Sequence, residues 1–535
     1  MRILHAIRGA LLLLFVAGSV GAQTRTVTGT VRANTTGQPV SGVNVRLRGA
    51  LQLVTTDGAG QYRIDVPAGS AEILDFTHPD YDRLEREISG QTIVDVVLIT
   101  RVRVNQYQVR VDRRPLVGED RDGILVFESP DLNYRFWFDM RVNVDGTLIY
   151  GDKFNATGSG TEIRRARMAM KSQFRRNWYA EVDMDFGDSH ANLEDAYLMW
   201  TPNQSLDMAV RQTLDIRWGN FKETFSTEQT TSSRYNTFLE RPMVTNALAP
   251  SRRVGTEVRW RPAQLLVAGG VHFQDVGDDE VTLATKDNNK DRGVDEGFAL
   301  TGKVVYLPLV NRRHQGIHIA LAASRRTPTS DDVAGAMRFN TRVVTKTNKK
   351  KYIDTDYITN VSHEFVKGAE LGVFHNGLKV YAEGTAADVS RKNGSPTASF
   401  SGAFVTASAM LFGGSYNYNT ADAEFTESNL GRSWGDAELA LRYEYLDMNS
   451  KDAGIMGGAG EAFTVGFNMF PSRNVRFMLN WSLVNNDRYA NGRGKLYVGR
   501  DAKGVLTKDP LLVAAPTGKG GEDFKVLGLR VQVSF

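Results

Sequence analysis

Cysteine is absent from the 535 residues. That excludes a disulfide scaffold, a thiolate metal site and a thiol nucleophile. Proline is scarce, at 15 positions, and no stretch beyond the N-terminus offers the ~20 apolar residues that a spanning helix needs. An excess of one charge sign is also missing. Lys and Arg number 65 against 61 Asp and Glu, a formal +4, which is too balanced for a general nucleic-acid binder. No His-Glu-x-x-His pair and no Walker phosphate loop is present, so catalysis is not expected and neither a cofactor nor a metal is implied. What is there is a folded chain, 41% hydrophobic and 10% aromatic. Its length calls for more than one domain unless a large closed barrel supplies the bulk.

The N-terminus reads as a secretory signal over residues 1–22. Arg2, His5 and Arg8 form the basic start, residues 10–17 the apolar stretch, and Val20-Gly21-Ala22 the small-residue cleavage pattern before Gln23. The mature chain is therefore expected to be exported.

Residues 23–100 alternate in short strands. Val27, Val31, Val43, Val45, Leu47, Tyr62, Ile64 and Val66 recur with a period of two, and turn residues Thr36-Gly37-Gln38-Pro39 and Asp57-Gly58-Ala59-Gly60 separate the runs. This predicts a small β-sandwich. On Gly29-Thr30-Val31, Pro39-Val40-Ser41-Gly42-Val43, Thr56-Asp57-Gly58-Ala59-Gly60-Gln61-Tyr62 and Pro67-Ala68-Gly69, it resembles the carboxypeptidase regulatory-like (prealbumin-like) domain. Asp57, His78 and Asp80 read as turn and loop chemistry in preference to metal ligands. Residues 101–130, with Arg101, Arg103, Arg110, Arg113 and Arg114, read as a basic linker.

From residue 131 the alternation becomes long and strict. Tyr134, Phe136, Phe138, Met140, Val142 and Val144 face one way; Arg135, Asp139, Arg141, Asn143 and Asp145 face the other. The same stripe recurs at Leu439, Leu441, Tyr443 and Tyr445, and at Val475, Phe477, Leu479 and Trp481. The polar face carries both signs of charge at a density that no packed core accommodates, so water is expected inside and lipid outside. Trp178, Phe186, Trp200, Trp260 and Phe273 gather at strand ends, as in an interfacial girdle. The chain ends on an alternating strand and Phe535, which looks like the terminal strand read by the barrel-assembly machinery of Gram-negative bacteria. About 400 residues at about 25 per strand and its connections give about 16 strands, wide enough for an aqueous channel. The expectation is an all-β chain, a 16-stranded antiparallel outer-membrane barrel over 131–535 preceded by the sandwich.

Residues 163–260 resemble the phosphate-selective porin O and P family. The matching stretches are Arg164-Arg165-Ala166-Arg167, Glu181-Val182-Asp183-Met184-Asp185-Phe186, Asp195-Ala196-Tyr197-Leu198, Gly219-Asn220-Phe221-Lys222-Glu223-Thr224-Phe225-Ser226, Phe238-Leu239-Glu240-Arg241 and Ala249-Pro250-Ser251-Arg252-Arg253-Val254-Gly255. The resemblance implies a homotrimeric outer-membrane channel narrowed by an inward loop and drawing small anions such as phosphate. The sandwich departs from that pattern and reads as an added periplasmic module.

The residues supply their own argument for anions. Between Arg211 and Arg261 nine Lys and Arg stand against five Asp and Glu, and 222–252 is a long early stretch without alternation, hence a candidate inward loop. Lys222, Arg234, Arg241, Arg252 and Arg253 are the candidate selectivity residues, and Arg135, Arg165, Arg167 and Arg211 the candidate lumen-lining cations. Arginine binds phosphate bidentately, whereas lysine acts as a point charge. The competing reading pairs these arginines with Glu228, Glu240 and Glu257. Asp287, Asn289, Asp291, Gly293 and Glu296 read as a solvated loop, not a calcium site, and Lys346 with Lys349-Lys350-Lys351 reads as an exposed loop that could touch lipopolysaccharide. Energised import, as by receptors that carry such a sandwich, needs about 22 strands and is disfavoured by length. A structural or adhesive barrel whose sandwich binds a periplasmic partner is the alternative.

Overall fold

The computed structural model describes residues 24–99, 117–128 and 133–535, apart from 35, 49, 51, 68–71, 122–123, 176, 188–190, 203–213, 275, 277–296, 311–313, 329–334 and 515–519. The expected signal peptide, the turn at 68–69, Arg211 and the loop 287–296 fall outside those residues.

The front unit holds two small sheets. One orders Gln61–Pro67, Thr24–Ala33 and Val96–Leu98; the other orders Leu53–Thr55, Asn44–Leu47, Ile73–His78 and Tyr81–Glu87. The period-two residues form its core, with Val27, Val31, Val43, Val45, Leu47, Ile64, Leu74 and Phe76 buried. Gly29 is required by close approach: a methyl there would lie 1.9 Å from the Val94 carbonyl oxygen, which also accepts the Tyr62 hydroxyl at 2.7 Å. Asp57 works as turn chemistry, its Oδ1 accepting from the amides of Ala59 at 2.9 Å and Gln61 at 2.8 Å. Burial holds His78 below the ordinary imidazole value, and its Nδ1 accepts the Asp80 amide at 3.1 Å. Asp57→Ala is expected to cost about 1 kcal/mol. Hydrogen exchange at residues 59–61 of the full chain should accelerate accordingly, and unchanged protection would refute the assignment.

The large unit is a closed barrel of sixteen antiparallel strands. In chain order these are β1 (Tyr134–Tyr150), β2 (Gly160–Phe174), β3 (Trp178–Asp185), β4 (Asn192–Trp200), β5 (Leu214–Lys222), β6 (Arg252–Trp260), β7 (Leu265–His272) and β8 (Ala299–Tyr306). They continue with β9 (Gln315–Arg326), β10 (Val361–His375), β11 (Leu378–Arg391), β12 (Ala398–Met410), β13 (Asp436–Ser450), β14 (Ile455–Phe470), β15 (Val475–Asn486) and β16 (Phe524–Ser534). Closure pairs β1 with β16 from Arg141↔Ser534 to Tyr150↔Lys525. Met140 and Phe535 exchange backbone hydrogen bonds at 2.7 and 3.0 Å, so the last strand is no free edge.

Burial is inverted relative to a soluble protein. On β1, Phe138, Met140, Val142 and Val144 are exposed while Arg141, Asn143 and Asp145 are buried. On β13, Leu439, Leu441, Tyr443 and Tyr445 are exposed while Glu438, Arg442 and Glu444 are buried. An apolar exterior around a charged interior is stable only where hydrocarbon bathes the outside. Among the described residues no helix is long and apolar enough to cross a membrane.

Of the stretch expected as a linker, residues 101–116, 122–123 and 129–130 lie outside the described residues, and what is described is strand. Val117–Arg121 and Ile124–Glu128 form a hairpin whose second strand pairs with the start of β1, Arg135 opposite Glu128 and Trp137 opposite Val126. The reason lies in register: β1 begins at Tyr134 but meets β16 only from Arg141, and the hairpin covers the edge left over.

Two bulges change which side chains reach the lumen. Between β1 and β2 the pairing steps from Asn143↔Arg165 to Val144↔Ile163, leaving Arg164 as the extra residue. Between β3 and β4 it steps from Asp183↔Asp195 to Met184↔Leu193, leaving Glu194 extra. Each bulge turns two consecutive charged residues inward, Arg164 with Arg165 and Glu194 with Asp195, where strict alternation would send one of each pair to lipid.

Candidate functional site

Residues 223–251, between β5 and β6, lie inside the barrel. They carry two short helices, α1 (Thr227–Thr230), capped by Ser226 Oγ accepting from the Gln229 amide at 3.0 Å, and α2 (Met243–Leu248). The segment is tied to walls all round the lumen. Glu223 accepts Arg326 of β9 at 2.9 Å through both oxygens, and the Met243 amide donates to Glu444 of β13 at 2.5 Å. Arg442 and Arg476 each donate to its backbone carbonyls, at Glu240 and Asn236, at 2.8 Å.

Its apolar side chains sit in sockets made by inward-facing glycines. A methyl added at Gly466 of β14 would lie 3.0 Å from Phe238 Cε1, and one at Gly528 of β16 would lie 2.8 Å from Leu239 Cδ2. Gly368 of β10 receives Phe225 and Gly402 of β12 receives Val244 in the same way. The loop docks because the wall lacks side chains at these points. Gly466→Val is expected to displace Phe238 at a cost of about 1–3 kcal/mol. Its reading is a larger and noisier single-channel conductance; wild-type conductance would refute the socket.

A second segment, 411–435 between β12 and β13, enters from the opposite end. Arg259 donates to Asp422 at 2.7 Å, Arg261 donates to the Ala421 carbonyl at 2.5 Å, and the Tyr418 hydroxyl meets His318 Nδ1 at 2.6 Å. Glu370 of β10 joins the two segments. Its Oε1 accepts from Lys303 at 2.7 Å and from the Thr227 amide at 3.0 Å, and its Oε2 meets His318 Nε2 at 2.8 Å.

Between the inward segments and the β1–β8 wall lies a cavity of about 230 Å³, lined by eight Arg and Lys and six Asp and Glu. Of the selectivity candidates, Lys222 and Arg252 line it, and of the lumen candidates, Arg167. Lys222 Nζ donates to the carbonyls of Thr230 at 3.0 Å and Thr231 at 3.2 Å. Arg252 grips Asp195 bidentately at 2.9 and 2.7 Å and also pairs with Glu194. Arg167 bonds Asp185 at 2.8 Å and pairs with Glu194.

The remaining candidates are placed otherwise. Arg234 pairs with Asp139, while Arg241 bonds the backbone carbonyls of Glu228 at 2.8 Å and Thr231 at 2.7 Å, so both shape the loop. Arg253 donates to the Phe273 carbonyl at 2.8 Å and Arg135 pairs with Glu128 at 3.0 Å; neither lines the cavity. Arg165 is buried beside Arg164, and its Nε and Nη1 have no hydrogen-bond partner among the described residues. The expected glutamate pairings also differ. Glu240 holds Arg164 at 2.5 and 2.9 Å, Glu228 meets Arg241 through its carbonyl, and Glu257 accepts from Thr224 at 3.0 and 2.7 Å.

Alternation alone puts Arg141 on the inner face, and it lines the cavity; Lys303, Asp422 and Glu424 also line it but come from far along the chain, where no local pattern signals the meeting. Gly431-Arg432-Ser433-Trp434-Gly435 has nucleophile-elbow spacing, yet Arg432 and Gly435 bond each other across a tight turn, not a strand-to-helix junction.

Residues 136–505 match the family model described as phosphate-selective porin O and P. A Caulobacter vibrioides protein described as uncharacterized is 23% identical over 337 residues, 61% of this chain and 63% of that protein, so the match spans under two thirds of the relative. Over 86 residues, 16% of this chain and 8% of the relative, the chain is 36% identical to TonB-dependent receptor P3 of Formosa agariphila. Among solved structures, an anion-selective porin from Comamonas acidovorans aligns with a TM-score of 0.45 at 12% identity, covering 75% of this chain and all of that one (100%). Pseudomonas putida OprB in its high-pH structure aligns at 0.43 and 12% identity, covering 76% and 95%.

Proposed function

We propose, from the premise that the chain belongs to the phosphate-selective porin O and P family, that this outer-membrane porin passes small anions of the phosphate type by passive diffusion. The observation that carries the reading is the cavity beside the inward loop, where cationic side chains outnumber carboxylates. Such a site exchanges part of an anion's hydration for Arg and Lys donors, and the interspersed carboxylates keep binding weak enough for release. Lys222, Arg167 and Arg252 are the residues we assign to selectivity, with Arg141 beside them.

The same reading places the short-turn end, where both barrel termini lie, in the periplasm together with the sandwich, because long loops of such barrels face outward. Three copies form the working unit, and Phe535 marks the strand handed to the assembly machinery.

The test is a planar-bilayer recording of the purified full chain under chloride and phosphate gradients. Discrete steps with an anion-preferring reversal potential are expected. A cation-preferring potential would end the anion assignment while leaving a porin. The absence of steps would favour a structural or adhesive barrel whose sandwich holds a periplasmic partner.

A further inference from the structure

One of the six carboxylates that line the cavity is carried on an inward segment and sits between two wall arginines. Asp422 rides on the segment that enters between β12 and β13. Its Oδ1 accepts from Arg259 Nη1 at 2.7 Å and lies 3.6 Å from Arg217 Nη2, and its Oδ2 accepts from Asn419 Nδ2 at 2.6 Å. The two guanidinium groups are fixed. Arg259 is clamped by Asp215 at 2.9 and 2.5 Å, and Arg217 lies against the rings of Tyr197 and Phe221, with centroids 5.7 and 5.8 Å away. Arg259 is buried and Arg217 largely so, with side chains 5% and 14% exposed, whereas Asp422 is 36% exposed on a loop. Arg217 is also under-satisfied: its Nε has no hydrogen-bond partner among the described residues, and 3.6 Å is beyond hydrogen-bond reach.

Two rigid, inward-facing guanidinium groups form a seat for an oxyanion. The group now in that seat belongs to the more exposed, loop-borne partner. We propose that Asp422 is an internal competitor whose carboxylate occupies the oxyanion position offered by Arg217 and Arg259 and is displaced by an entering phosphate-type anion. The inference rests on the anion reading above and adds a residue that sets how loosely the anion is held. A fixed double-arginine seat would retain a dianion, and a tethered carboxylate returning to it helps the ion to leave.

The experiment is the phosphate dependence of chloride conductance through the full-length protein in a planar bilayer, read as the half-blocking phosphate concentration. Asp422→Asn keeps the shape and removes the charge. It is expected to lower that concentration about fivefold, the worth of one competing charge-assisted contact. In Asp422→Ala, added acetate is expected to raise the half-blocking phosphate concentration, standing in for the missing side chain, and to have no such effect on wild type. Should neither variant insert, Asn419→Ala, which frees Oδ2 of the carboxylate, carries the same test with a shift in the same direction. An unchanged half-blocking concentration in whichever variant inserts overturns the proposal while the anion reading stands. A wild-type channel that prefers cations overturns the reading itself, and is seen before any variant is made.

Discussion

Lys222→Glu is expected to abolish or reverse anion preference. Among the cations that line the cavity, Arg252 faces Asp195 and Glu194, Arg167 faces Asp185 and Glu194, and Lys171 faces Asp139 at 3.1 Å. Lys222 is held by two backbone carbonyls, which carry no net charge, so unlike those three it is not locked in an ion pair. Reversing it shifts the local charge by two. A single unit charge about 7 Å from a passing ion is worth about 2 kcal/mol at an effective dielectric constant near 20, or about thirtyfold in the ion's local concentration. The readout is the reversal potential in a chloride gradient. Arg241→Ala is the contrast: bonded to loop carbonyls, it should alter conductance noise more than selectivity. A Lys222→Glu channel as anion-preferring as wild type would reject the site.

The second large effect concerns the barrel seam. Arg530 of β16 is buried and holds Asp145 of β1 through two bonds of 2.6 and 2.7 Å, across the pair of strands that closes the ring. Asp145→Ala leaves that guanidinium unpaired, with Glu240 at 3.6 Å as its remaining carboxylate among the described residues. Removing one partner of such a pair costs about 3–5 kcal/mol. Loss of the heat-resistant folded band on a gel, at a temperature well below that of wild type, is the expected reading. Asp145→Ala with Arg530→Leu should recover much of the loss, because an apolar replacement leaves no stranded charge. Equal stability of the single variant and wild type would show that water already satisfies Arg530.

The charge pattern of the inner wall explains why selectivity is hard to read from composition. Arg141 and Arg167 stand directly opposite each other on β1 and β2, and Asp183 stands opposite Asp195 on β3 and β4. Like charges face one another across one strand pair and are compensated from the next strand, as with Arg167 and Asp185, or by longer contacts, as with Asp195 and Arg252. Which cations remain available to a passing ion follows from those longer contacts.

By itself, the sequence determined the solvent on each side of the sheet, the strand number and the inward stretch after β5. Apolar and charged residues alternate with a period of two, and a strand places neighbours on opposite faces, so the local pattern is sufficient to say that lipid lies outside and water inside. Only the tertiary structure decided which charges meet in the lumen. The bulges at Arg164 and Glu194 depend on inter-strand register and overturn alternation just where the charges are densest. The glycine sockets that seat Phe225, Phe238, Leu239 and Val244 exist only once four distant strands surround one loop. Asp422 reaches Arg217 and Arg259 from at least 163 residues away in the chain, because a closed ring brings distant segments within side-chain reach.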